Sequence, residues 1–103
     1  MISLVVYIPQ SHLEEVKEAM FSAGAGKLGN YDKCCWQTEG TGQFRPLAGS
    51  DPYVGKIGAV EKVKEWKVEM VCDRERLKPV IEAMRKAHPY EEPAFLITDQ
   101  LQS

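Results

Sequence analysis

Apolar and polar side chains alternate along the first stretch of the chain. Ile2, Leu4, Val6 and Ile8 fall on one face, and Ser3, Val5 and Tyr7 on the other. A period of two over this length predicts a β-strand, and the partly apolar second face predicts a central one. Pro9 ends it. The period then lengthens: Leu13, Val16, Met20 and Ala23 recur at helical spacing, with Ser11 to Glu14 read as a capping box and Gly24 as the C-terminal stop. Cys34 to Glu39 reads as a second strand. Within Val60–Cys72 the alternation is clear from Glu65 onward and predicts a long third strand. Leu77, Val80, Ile81, Met84 and Ala87 make the apolar face of a second helix. Asp73 can cap it, but Pro79 lies past the first turn, so the helix starts later or bends there. His88-Pro89 stops it, and Ala94–Thr98 forms a short last strand.

The order β-α-β-β-α-β predicts an α+β, ferredoxin-like fold over residues 1–103: an antiparallel four-stranded sheet with two helices on one face. Val5, Tyr7, Trp36 and one register of the third strand then lie on a face that the helices leave bare. Such a face needs cover, so the chain is expected to be a homo-oligomer.

Two stretches escape both periods. Gly24–Tyr31 (GAGKLGNY) is a glycine-rich loop between a helix and a strand. That is the reverse of a phosphate loop, which runs from a strand into a helix N-terminus. Gly40–Gly58, with Pro46 and Pro52, reads as turns and short extended pieces. An excursion of this length in a small domain is usually functional or packed on a partner.

Composition narrows the function. Thirteen Lys and Arg against fifteen Asp and Glu give a formal net charge of -2. With no basic stripe carrying interleaved aromatics, nucleic acid is an unexpected partner. No run is long enough to span a membrane and no secretory leader is visible. The odd number of cysteines, Cys34, Cys35 and Cys72, suits a reducing cytoplasm.

Three motifs carry a family likeness. They are Gly24–Cys34 (GAGKLGNYDKC), Gly40–Pro46 (GTGQFRP) and Ala87–Pro93 (AHPYEEP), joined by Glu61 and Glu65 before the third strand. Together they resemble the YqfO/CutA-like domain inserted in many proteins of the NGG-interacting-factor-three-like family, over nearly the whole chain. His88-Pro89-Tyr90-Glu91 also resembles the CutA cation-tolerance proteins, and both belong with the PII-like fold. Full-length members of the family carry a dinuclear metal centre in two flanking halves; these residues match neither half, so hydrolase chemistry is not expected to carry over. The resemblance implies a stand-alone accessory domain, trimeric as CutA and PII proteins are, acting as a sensor or binding module.

The candidate chemistry is sparse. His88 with Glu91 and Glu92 suits a divalent ion such as copper or zinc, as the CutA likeness implies. The alternative is that Pro89 and Pro93 brace a turn, Tyr90 packs, and the charges bond to backbone. Cys34 and Cys35, adjacent in an extended chain, point to opposite faces and cannot easily share an ion. No Ser or Cys is paired with His and Asp in a known elbow, so no catalytic residue is assigned and a non-enzymatic role is expected. A small-molecule ligand, if bound between subunits as in PII-like trimers, is expected where Gly26, Tyr31, Phe44, Arg45, His88 and Tyr90 meet. Arg45 would be its anion clamp. His12 is expected to be a solvated surface residue, and Trp66 to turn inward.

Overall fold

A computed structural model of the chain describes residues 1–99. Strand β1 (Ile2–Pro9) leads through a 3-10 turn into helix α1 (Leu13–Ala23). Strands β2 (Trp36–Phe44) and β3 (Glu61–Cys72) form a hairpin. A second 3-10 turn precedes helix α2 (Leu77–Ala87), and strand β4 (Phe95–Asp99) closes the order. The sheet is antiparallel throughout, in the order β2-β3-β1-β4. This is the ferredoxin-like arrangement that the two periods predict.

The alternation along β1 sets the core. Ile2, Leu4, Val6 and Ile8 are buried, and their partners Cys72, Met70, Val68 and Trp66 on β3 share their face. Val16 and Met20 of α1 and Val80 and Met84 of α2 pack onto it. Burying each such side chain contributes about 1.5–3 kcal/mol. Trp66 turns inward as expected, and its indole N–H donates to Gln10 Oε1 at 3.0 Å.

Both helix starts differ from a simple cap. Ser11 lies within the 3-10 turn Gln10–His12, so its hydroxyl faces His12 Nδ1 at 2.7 Å and the predicted capping box is not made. Glu14 pairs instead with Lys17 at 3.1 Å. Helix α2 starts at Leu77, later than Asp73, which puts Pro79 among the first N–H groups that need no intrahelical partner. Arg76 ties the helices together: its Nε and Nη2 donate to Ala23 O, at the end of α1, at 3.0 and 2.7 Å. Among the described residues, no helix is long and apolar enough to cross a membrane.

Strand β2 is the main departure. It runs on through Gly40 and Gly42 to Phe44, where the sequence reads as irregular. Glycine is a poor strand former, but the long β3 templates it: Gly40 lies opposite Glu65, and Phe44 opposite Glu61. The pairing of β1 with β3 stops at Pro9 opposite Glu65, so the hairpin projects past it and stretches the molecule to 46 × 24 × 22 Å. The connection between β2 and β3 folds back on the sheet, closed by a bond from Gly58 N–H to Pro46 O at 2.7 Å.

Candidate functional site

The two motif-bearing bends lie at opposite ends of the sheet. Gly26 N–H donates to Val71 O at 2.8 Å, beside the start of β1. The His-Pro-Tyr bend reaches the other end, where His88 Nε2 bonds Tyr7 O at 2.8 Å. Four residues of strand separate Ser3, the partner of Val71, from Tyr7, about 13 Å. Gly26 and Tyr31 therefore do not join Phe44, Arg45, His88 and Tyr90 within one chain. The reason is directional. Each bend follows a helix, and α1 and α2 run antiparallel over the sheet, so their C-termini must face opposite ways.

His88 is buried in the bend, and both ring nitrogens are engaged. Tyr7 O can only accept, so Nε2 carries the proton. Nδ1 then accepts from Tyr90 N–H at 3.2 Å. Burial pushes the imidazole pKa below its ordinary value; the bond to Tyr7 opposes this and the nearby His12 reinforces it. The ring is thus a neutral brace. It closes the edge of β1 beyond Val6, where pairing with Phe95 of β4 begins. This arrangement does not fit a metal ion. The lone pair of His88 is taken, Glu91 Oε1 accepts from Asp51 N–H at 3.0 Å, and Glu91 and Glu92 are exposed. Among the described residues, no three His, Cys, Asp or Glu side chains converge.

Tyr90, Phe44 and Arg45 do come together, around a cleft of about 390 Å³. Its floor is Tyr7 and Glu65 on the sheet face away from the helices, and its walls include Tyr53 from the β2–β3 connection. Tyr90 is the hub. Its ring centre lies 5.9 Å from that of Phe44, 6.3 Å from Tyr53 and 5.0 Å from His88. Its phenol donates to Glu65 Oε2 at 2.9 Å. Burial, with help from Glu65, raises the Tyr90 pKa far above the ordinary range, so the hydroxyl stays a donor. Gly42 makes room for this contact, because a Cβ there would collide with the Glu65 carboxylate.

Sequence reasoning missed Tyr7, Tyr53, Gly42 and Glu65 as cleft residues. The charged run Glu61–Lys67 reads as a solvated strand face, and the one available signal was that Glu65 belongs to the motif set. His12 is not simply solvated either: its ring meets Tyr53 edge-on at 5.7 Å. Cys34 and Cys35 sit half-buried at the far end, just before β2, and Cys72 is buried, which pushes its thiol pKa up.

No family model matches the chain. A protein named GTP cyclohydrolase 1 type 2 homolog from Mycobacterium leprae is 50% identical over 91 residues, 88% of this chain and 24% of its own length. Its namesake from Halalkalibacterium halodurans is 47% identical over 92 residues, 89% of this chain and 25% of its own. The chain thus spans about a quarter of the curated relatives it matches. The crystal structure of a Bacillus cereus protein related to NIF3 superposes with a TM-score of 0.79 at 41% identity, over 93% of this chain and 24% of that one. CutA1 from Pyrococcus horikoshii superposes with a TM-score of 0.69 at 17% identity, over all of this chain and 86% of its own. The fold is CutA-like. The match to the longer proteins covers most of this chain.

Proposed function

We propose that this chain is a non-enzymatic, oligomeric binding module, the CutA-like domain of the NGG-interacting-factor-three-like family, with the aromatic cleft as its ligand site. The supporting observation is the cleft itself: concave, lined mainly by aromatic, aliphatic and proline residues, with one carboxylate hydrogen-bonded in its floor. A mostly apolar hollow with few, fixed polar groups is the usual form of a small-molecule site. Binding is favoured over catalysis because the imidazole beside the cleft is committed to backbone atoms on both nitrogens. A metabolite panel read by thermal melting is expected to yield at least one compound that raises Tm by several degrees, an effect lost in Tyr90→Ala. A flat response of the wild-type chain across a broad panel would speak against the reading.

The oligomer rests on the uncovered sheet face. Trp36 is 71% exposed and Leu96 59% exposed there, flanked by half-buried Val5 and Val71. Apolar side chains in such a row are what a second copy would cover. Light scattering of the wild type at micromolar concentration is expected to give a trimer, and Trp36→Lys a smaller species. A wild-type monomer would remove this part of the proposal.

A further inference from the structure

The charge and shape of the cleft point to the class of ligand. Three acidic residues, Glu65, Glu91 and Glu92, line it against the single arginine, Arg45, and of the three only Glu65 is half-buried. Arg45 is exposed, whereas Glu65 is half-buried and fixed by the Tyr90 phenol. An anion drawn to Arg45 would therefore meet a like charge held in the floor, that of Glu65. Tyr90 touches Glu65 and packs with the rings of Phe44 and Tyr53, and Tyr7 lines the same cleft. Aromatic faces around a carboxylate attract a cation, because the ring quadrupole presents negative charge to it and little water competes. A strongly hydrated metal ion finds no ligand set here, but an alkylammonium can bury its carbon body on the rings while its charge faces Glu65.

We propose that the cleft binds a small organic cation, a primary or quaternary alkylammonium, with Glu65 as counter-ion and Tyr90, Phe44 and Tyr53 as its aromatic cage. This rests on the cleft being the ligand site and adds the sign of the ligand's charge. Gly42 is a positioning residue in this scheme: by having no side chain it lets the Glu65 carboxylate cross β2 and reach Tyr90. Its φ is not in the left-handed region, so Gly42→Ala perturbs the carboxylate and not the backbone.

The test is a titration of the full chain with matched probes followed by NMR: choline and butylammonium, the neutral isostere 3,3-dimethylbutanol, and the anion butyrate. The ammonium probes are expected to saturate, with shifts at Tyr90 and Phe44, and the neutral and anionic probes to bind roughly tenfold weaker or worse. Glu65→Gln and Gly42→Ala are expected to weaken the ammonium probes by a similar factor while keeping the wild-type amide spectrum elsewhere. Equal binding of alcohol and ammonium would overturn the cationic assignment and leave the cleft as an apolar pocket. Preference for butyrate would overturn it in favour of Arg45. Absence of saturation by either ammonium probe would also overturn it, while a hit from the metabolite panel would keep the cleft itself. Ammonium binding unchanged in Glu65→Gln would place the cation elsewhere.

Discussion

Replacing His88 with alanine is expected to lower stability by about 2–4 kcal/mol, a fall in Tm of roughly 10–25 °C at fixed protein concentration. The ring meets two backbone groups at once, donating to Tyr7 O at 2.8 Å and accepting from Tyr90 N–H at 3.2 Å. Each loses its partner in a part-buried place, and an unsatisfied buried group costs about 1–3 kcal/mol. The same substitution frees the bend that carries Tyr90, so the cleft should loosen with it. The pH dependence has a definite sign. Burial holds the folded imidazole below its ordinary pKa, so the unfolded chain takes up the proton first as pH falls. The stability due to His88 is full above about pH 6.5 and is lost as pH drops from there toward the folded pKa. Urea titrations across that window should show a slope in the wild type that is diminished in His88→Gln. A loss below about 1 kcal/mol in His88→Ala would mean that water replaces both bonds and that the ring is no brace.

That role for His88 was half legible in the sequence. His88-Pro89 marks the end of α2, and the observed helix ends at Ala87. What residue types could not convey is which backbone atoms the ring would meet, since Tyr7 lies 81 residues away in the chain. The same division holds throughout. Ile2–Ile8 and the two helical faces announced the sheet and its covering layer, because burial on one side enforces the period of each element. The length of β2 was hidden, because Gly40 and Gly42 look like breaks until β3 supplies the partner. Gly42 also shows why the cleft was obscure. A glycine whose purpose is to leave space for Glu65 cannot be told from one that serves a turn until the two strands are in register. The distance between the two bends is likewise a matter of helix direction, which composition and spacing do not encode.

Gly26→Ala is expected to cost about 2–5 kcal/mol, more than alanine at Gly29 or Gly40. Gly26 holds φ at +80°, a conformation that costs an L-residue about 1–2 kcal/mol. A Cβ there would also stand 2.9 Å from the ring of Phe21 and 3.0 Å from Cys34 O. The ring belongs to the core and the carbonyl to the backbone bonded to Gly26 itself through Cys34 N–H. Neither can yield freely, and overpacking of this kind adds about 1–3 kcal/mol. Gly29 separates the two contributions. Its φ is +56° but nothing lies within 4 Å of its Cβ site, so Gly29→Ala should show the backbone cost alone, about 1–2 kcal/mol. Gly40 has neither feature, and Gly40→Ala should change stability by less than about 0.5 kcal/mol. Chemical denaturation of the three variants thus tests a ranking as well as a magnitude. If Gly29→Ala proved as damaging as Gly26→Ala, backbone conformation alone would explain the motif, and the packing of Gly26 under Phe21 would lose its place in holding the β2 end of the sheet.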